Sequence, residues 1–494
     1  MKGIIGIDLG TSGVKVILTD TYGKELSCAV EEYPLIQPQN GMAEQDANIW
    51  WEKTAKCIKK TVSAFSDLEV AAIGLTGQMH GLVMLGSDGE VLRNVIIWCD
   101  VRSEKECKIA ENTAGAERLR AITASPALPG FTLSKILWVK NNEPYIFEKC
   151  RHILLPKDYI RYKLTGEFAS DVSDASGMQL IDIEKRCFSR ELLSLFEIDE
   201  SLLPKLYESC DVSGFTKNNI ESETGLKGNI PVAAGAGDNA ASAVGMGTLR
   251  SGEAFTTIGT SGVVFAHLSK PAKDALGRVH TFCAAAPGEW HCMGVTQSAG
   301  LSLKFFKDNF MKNYSYKEID KLCKDTPIGS DRLLFLPYLM GERTPHLNAF
   351  ARGVFFGISA SHTAANFARA IMEGVSFSLK NCLDIVSNLT TIKEMKLCGG
   401  GAESPFWGQM LADIFNMEVT TLKQSGGAAS GAAILGGVCA GIYKSVYDAP
   451  KESFDLGTTF NPNPENHCEY MKFYEIYNTL YNHLKDDFDK LCRA

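Results

Sequence analysis

The sequence predicts an α/β protein of two halves, each built on its own sheet, and three observations carry that prediction. One hairpin signature occurs twice, as IIGIDLGTSGVKV at 4–16 and AFTTIGTSGVVF at 254–265, and laying Gly10 on Gly259 superposes GTSGV on GTSGV. Apolar, strand-like runs alternate with helical patterns along the chain, the order expected of α/β folds. The length of 494 residues exceeds one ordinary core and suits two large domains. A duplicated domain satisfies all three.

Each element follows from its local pattern. In both copies of the repeat, β-branched apolar residues flank a Gly-Thr-Ser-Gly turn, which reads as strand, turn, strand. The stretch 46–65 places Trp51, Ala55, Ile58, Val62 and Phe65 at helical spacing behind Asp46 as N-cap. VAAIGLTGQMHG (70–81) is a buried strand entering a polar loop, and NVIIWCD (94–100) is a further strand. NIPVAAGAGDNAA (229–241) runs from a strand through a glycine turn into a helix of small residues. FARAIMEGVSFSLKNCLDIV (367–386) is helical, and MKLCGGGAE (395–403) is a strand that ends in three glycines. SPFWGQMLADIF (404–415) opens a helix with Ser404 as N-cap and Pro405 at its first position. The last stretch, 462–494, is helical. The boundary between halves is expected near residue 246, giving 1–246 and 247–494.

Composition removes several function classes. Net charge is −8, and no basic run is interleaved with aromatics, so nucleic acid is not an expected partner. MKGIIGIDLG reaches an aspartate after one short apolar run and does not read as a signal peptide. GAAILGGVCAGIY (431–443) is too short and too glycine-rich to span a membrane. The 15 cysteines are odd in number and form no CxxC, which reads as reduced thiols in the cytoplasm. The nine histidines form no HxxxH pair, so no zinc site is expected.

The chemistry-bearing residues cluster at the glycine turns. A Gly-Thr-Ser turn offers backbone N–H groups and hydroxyls, with no bulk to hold a phosphate away. The repeat therefore predicts one phosphate loop from each half. Asp8 in the first copy becomes Thr257 in the second, and one carboxylate beside two phosphate loops suits a Mg²⁺-nucleotide. In GAGDNAASAVG (235–245), Asp238 is ringed by Gly235, Gly237, Ala240 and Ala241. A carboxylate there can take the proton of a hydroxyl as it attacks phosphorus, while its small neighbours leave room for both substrates. The bland reading is an Asp-Asn helix cap. GAGDNA also fits a dinucleotide fingerprint, but an aspartate in that turn would repel a pyrophosphate.

IGIDLGTSGVKVIL, GQMHG, GFTLSKILWV, LLPKDYIRYKLTGEFASD, GAGDNAA, IGTSGV, FLPYLMGERTPH, ARGVFFG and GGGAESPFWGQMLAD together resemble the FGGY family of carbohydrate kinases. GQMHG and PKDYIRYKLTGEFASD favour its xylulose branch. The resemblance implies two ribonuclease-H-like (actin-like ATPase) domains flanking a catalytic cleft, with sugar held mainly by the N-terminal half and ATP by the C-terminal half. It implies Asp238 as proton acceptor and Asp8 as the carboxylate near Mg²⁺. Met79 and His80 match the sugar-contacting pair. Gly10, Thr11, Ser12 and Lys15 match the first phosphate loop, Gly259 and Thr260 the second, and Gly300, Gly399, Gly400 and Gly401 the other nucleotide-binding segments. The implied reaction is ATP-dependent phosphorylation of D-xylulose, with another ketose or polyol as the alternative and a non-catalytic nucleotide sensor as the rival class. Cys99, between Trp98 and Asp100, departs from the family's usual amide, whose hydrogen bonds a thiol does not reproduce. The expected partners are a small-molecule sugar and ATP, without nucleic acid or membrane, and a homodimer is the assembly to test.

Overall fold

A computed structural model describes residues 2–65, 67–423, 427–450 and 454–493. Both GTSGV segments are hairpin turns. Lys2–Leu9 pairs antiparallel with Gly13–Asp20, and Glu253–Ile258 pairs antiparallel with Gly262–Leu268. Each hairpin lies at the centre of a seven-stranded sheet. The first sheet runs Val212–Phe215, Pro231–Ala233, Glu69–Gly77, Lys2–Leu9, Gly13–Asp20, Glu25–Glu32, with Ala236–Gly237 as an added partner of Glu69–Gly77. The second runs His280–Cys283, Trp290–Thr296, Gly262–Leu268, Glu253–Ile258, Glu394–Cys398, Val419–Leu422, Leu456–Phe460.

The two sheets repeat one plan. The first strand of each hairpin is antiparallel to the second strand on one side and parallel to a later strand on the other. A parallel neighbour demands a crossover, which is why a strand-helix alternation follows each hairpin in the sequence. Lys2–Leu9 is buried on both faces, so it reads as a continuous apolar run interrupted only near its end, at Asp8. Trp50 and Ile58 of helix Ala47–Val62 cover Ile5, Ile7 and Val16 on one face. In the second half, helices Ala364–Ser387 and Pro405–Phe415 share a core with Tyr470, Tyr474 and Tyr477 of the terminal helix Pro464–Arg493.

Asp46 and Ser404 cap their helices as expected, accepting from Asn48 N and Trp407 N. Two expectations need correction. The helix expected to reach Phe65 ends at Val62, although Phe65 still packs on the same core. Of NVIIWCD, only Val95–Ile96 forms a strand, in a two-residue ladder with Glu44–Gln45 outside the main sheet. Asp100 turns the chain there, accepting from Ala43 N at 2.6 Å and pairing with Arg102. The apolar stretch 431–443 belongs largely to helix Gly427–Cys439, which comes from the second half yet lies on the first sheet. A Cβ at Gly74 would overlap the Ala432 carbonyl, and one at Gly431 the Ala241 carbonyl. Its small residues thus let backbones touch across the seam. Among the described residues no helix is long and apolar enough to cross a membrane, and the fifteen cysteines are free.

Candidate active site

The two turns differ more than their sequences do. Leu9↔Val14 is the last pair of the first ladder, leaving Gly10–Gly13 as a four-residue turn closed by Gly10 N donating to Gly13 O at 3.0 Å. Ile258↔Gly262 ends the second, leaving the three residues Gly259–Ser261, with Gly259 N donating to Ser261 O at 3.0 Å. The superposition of GTSGV therefore slips by one residue within the turn. Neither Gly10 nor Gly259 has a positive φ. A Cβ at Gly10 would come no nearer than 3.2 Å to the Gly13 carbonyl, and one at Gly259 no nearer than 3.5 Å to the Ser261 carbonyl. The fold leaves room for a side chain at Gly259, whereas at Gly10 the Gly13 carbonyl would have to give.

The first turn is pinned from below and open above. The Tyr33 hydroxyl and Gln78 Nε2 donate to the Gly10 carbonyl, and Gln45 Nε2 donates to Thr11 O at 2.7 Å. Trp98 Nε1 donates to Thr11 Oγ1 at 2.9 Å, while Ser12 is exposed. Around the second turn, Gly300 N, at the head of helix Gly300–Phe310, donates to Gly259 O at 2.7 Å. Gly399 and Gly401 pack against Ile258, and a Cβ at Gly399 would meet the Ile258 carbonyl at 2.7 Å. Gly400 faces open space, with nothing within 4 Å of an added Cβ. Gly259, Thr260, Gly300 and Gly399–Gly401 thus form one surface of backbone at the edge of the second sheet.

Asp8 and Asp238 stand at the same edge of the first sheet. Asp8 is level with Thr76 of Glu69–Gly77, which is level with Ala236, two residues before Asp238. Lys15 lies directly across the hairpin from Asp8. Burial pushes the Asp8 carboxyl up to about 6, against the pull of Lys15. Burial and the Asp8 charge push Asp238 up to about 7, against hydrogen bonds from Asn239. The helix-cap reading does not describe Asp238. Gly237 holds the cap position of helix Asp238–Gly245 with no side-chain bond, and Asp238 Oδ1 accepts only from Asn239 N and Nδ2, at 2.7 and 2.8 Å. Its second oxygen has no partner among the described residues.

PKDYIRYKLTGEFASD also acquires a place. Lys157 is fully buried and meets Asp158, Asp171 and Asp174 at 2.7, 2.8 and 3.1 Å. Asp171 holds Ser173, whose Oγ accepts from Gly237 N at 3.2 Å. The segment is therefore a buried polar brace behind the residue that precedes Asp238.

His80 sits in the left-handed region at φ 69, an arrangement costly for a non-glycine residue and kept only where neighbours enforce it. Its carbonyl accepts from Lys135 Nζ at 2.8 Å and Thr132 Oγ1 at 3.2 Å. Nδ1 lies 3.1 Å from the Gly177 carbonyl, which can only accept, so Nδ1 carries the proton and Nε2 is a bare acceptor. Burial, with the charges of Arg343 and Lys135, holds the imidazole well below its ordinary range and keeps it neutral. Met79 packs on Gly237, where a Cβ would meet its Sδ at 2.8 Å, and so lies between His80 and Asp238. Met79, Phe131, Ala243, Met246, Phe255, Val263 and Phe282 form a cluster shared by both halves beneath this site.

Three neighbours were not marked as site residues by sequence pattern. Lys135 is buried and pushed down to about 7 by burial. Trp98 ties itself to the Gly10–Gly13 turn through Thr11 Oγ1, while Cys99 is exposed. Arg343 reaches in from the second half, over Phe131. Helical or strand periodicity carries no signal for any of them.

The N-terminal domain of the FGGY family of carbohydrate kinases matches residues 3–245, and its C-terminal domain matches residues 254–440. The chain is 38% identical over 489 residues to a xylulose kinase of Bacillus subtilis, covering 98% of each. A crystal structure of a kinase from Brucella ovis, described as a xyloylose kinase, superposes with a TM-score of 0.91 at 35% identity, covering 98% of this chain and 99% of that one. A ligand-bound xylulose kinase from Lactobacillus acidophilus superposes at 0.95 with 28% identity, covering 99% and 100%.

Proposed function

Because the chain belongs to the FGGY family of carbohydrate kinases, we propose that it transfers the γ-phosphoryl group of ATP to O5 of D-xylulose, giving ADP and D-xylulose 5-phosphate. The observation that carries the mechanism is Asp238, half-buried, raised to about 7 by desolvation and Asp8, and engaged through one oxygen only among the described residues. Its free oxygen takes the O5 proton as O5 attacks phosphorus. A base poised near neutral pH holds its negative charge in part and still accepts a proton readily.

The O5 that is phosphorylated is also the oxygen that closes the furanose ring, so the open-chain ketose is the reacting form. His80 Nε2 accepts from one of its hydroxyls, with Met79 packed alongside. The turns Gly10–Gly13 and Gly259–Ser261, with Gly300 and Gly399–Gly401, hold the phosphates and adenosine through backbone N–H groups. Thr11, Ser12 and Lys15 serve the first turn, and Thr260 the second. Two raised carboxylates facing one cleft fit a divalent cation, which relieves their repulsion. Asp8 is the residue that would hold Mg²⁺, directly or through water, and the ion supplies neutralisation of the phosphate charge.

We place the division between halves near residue 246, between helix Asp238–Gly245 and strand Glu253–Ile258. Free cysteines and the need for ATP support a cytoplasmic setting. Phe305 and Phe310, exposed on one helix, support a homodimer, which light scattering reads directly. The test of function is ADP release across D-xylulose, D-ribulose, 1-deoxy-D-xylulose, xylitol and D-arabinitol. The highest kcat/KM is expected on D-xylulose. Preference for another ketose would move the substrate assignment, and silence on every sugar would leave a nucleotide sensor.

A further inference from the structure

We propose that Arg343 reads the ketose as a ketose, donating from its guanidinium to the C2 carbonyl while Asp238 receives the O5 proton; this rests on the ketose-kinase reading above. The side chain is held for such a task. The preceding Glu342 is buried and spends its carboxylate on Thr296 Oγ1 at 2.6 Å, Gln297 N at 2.9 Å and the Arg343 backbone N at 2.8 Å. The following Thr344 is tied to strand Trp290–Thr296, its N donating to Val295 O at 2.9 Å and its Oγ1 accepting from Val295 N at 3.0 Å. The backbone on both sides of Arg343 is thereby fixed.

The guanidinium itself is left unspent. Arg93, Arg102, Arg161, Arg186 and Arg369, whose side chains are largely buried, each meet a carboxylate. The Arg343 guanidinium meets none within ion-pair distance among the described residues and makes no hydrogen bond there. It lies 5.9 Å over Phe131, whose ring centroid is 4.5 Å from that of His80. Gly130 makes room for it, since a Cβ there would meet Arg343 Nη2 at 3.0 Å and the Trp98 carbonyl at 2.7 Å. A half-buried guanidinium whose five donors meet no protein acceptor among the described residues is free to donate to a ligand that brings acceptors.

The chemistry of an open-chain ketose matches these donors and acceptors. His80 Nε2 and the free oxygen of Asp238 are both acceptors, and each calls for a sugar hydroxyl. The C2 carbonyl is the one oxygen of the sugar that only accepts, and a guanidinium only donates. Pairing them fixes which end of the sugar meets Asp238. It also sets the ketose apart from its furanose form, which has no carbonyl, and from polyols, whose C2 hydroxyl brings a donor of its own. A site built to satisfy one polar group discriminates strongly against analogues that lack it.

The test uses the full chain with Arg343→Met, which keeps length and apolar packing but removes the donors, and Arg343→Lys, which keeps the charge but not the fork. Melting curves establish that both are folded. Arg343→Met should lose roughly 10- to 100-fold in kcat/KM on D-xylulose, while slow turnover of xylitol changes by less than about threefold. The ratio of ketose to polyol should collapse, Arg343→Lys should recover part of it, and ATP hydrolysis without sugar should be unchanged. Equal losses on ketose and polyol would overturn the assignment. So would loss of sugar-free ATP hydrolysis in both variants, which would make Arg343 a phosphate contact. Inhibition by D-xylonate below the KM for D-xylulose, abolished in Arg343→Met, would make the group a carboxylate site instead. If the unaltered protein phosphorylates no ketose at all, the functional reading beneath this proposal fails, a result the variants do not imitate.

Discussion

Asp238 and Asp8 modify each other, and that coupling is measurable at the level of single residues. Asp8 contributes to raising Asp238 to about 7, so removing its charge lowers the proposed base. In Asp8→Asn the acid limb of kcat/KM for the sugar should move to lower pH, alongside reduced turnover and a weaker Mg²⁺ response. A limb that stays in place would separate the two carboxylates. Asp238→Asn keeps shape but takes no proton, and kcat should fall by roughly 10²- to 10⁴-fold. The same substitution should affect stability with a defined sign. A carboxyl raised from 3.8 to about 7 binds its proton more tightly in the folded state, so its contribution is favourable at low pH and is lost as pH rises through that window. The melting temperature of Asp238→Asn relative to the parent should therefore climb between pH 5 and pH 8, by roughly a few degrees. Scanning fluorimetry of the ligand-free proteins checks it.

At the scale of elements, two kinds of glycine serve opposite purposes and separate under mutation. Gly431 lies in helix Gly427–Cys439, where an added Cβ overlaps the Ala241 carbonyl of helix Asp238–Gly245. Neither backbone can withdraw without separating the halves, so Gly431→Ala should destabilise by roughly 1–3 kcal/mol or more. Gly400 meets nothing within 4 Å and has no positive φ. Gly400→Ala should leave thermal stability within about 0.5 kcal/mol of the parent yet raise the KM for ATP, because the methyl would occupy the space proposed for the nucleotide. Denaturant unfolding and ATP kinetics on the two variants decide the matter. A stability loss in Gly400→Ala with unchanged ATP kinetics would remove that glycine from the nucleotide surface.

Across the whole molecule, histidines line the seam between halves. His80 comes from the first half, and His280 and His291 from adjacent strands of the second sheet, interleaved with Phe131 and Phe282. Burial is the main reason that His280 and His291 are pushed down to about 3. These groups bind protons better when unfolded, so stability falls as pH drops from 6.5 toward 3. Loss of the fold on acidification should therefore begin below about pH 6.5, and His280→Asn should flatten the slope of melting temperature against pH between 5 and 6.5. An unchanged slope would place the acid sensitivity elsewhere.

The sequence by itself determined what depends on a few consecutive residues. A Gly-Thr-Ser turn between β-branched strands, a carboxylate at a strand end, and Asp46, Ser404 and Pro405 at helix starts are local events, legible because backbone geometry fixes them within one turn of chain. The duplication was legible for the same reason, since each hairpin carries its own signature. Tertiary structure decided what depends on partners far along the chain. Asp8 and Asp238 became one electrostatic unit only when Glu69–Gly77 joined their strands. His80 acquired its tautomer from Gly177, and its backbone carbonyl was secured by Lys135. The apolar run 431–443 turned out to bind the halves together, because small residues there meet small residues of another segment. Arg343 carries no periodic signal at all. Its meaning lies in a guanidinium that no carboxylate pairs with among the described residues, and charge pairing in three dimensions is what a linear order of residues does not encode.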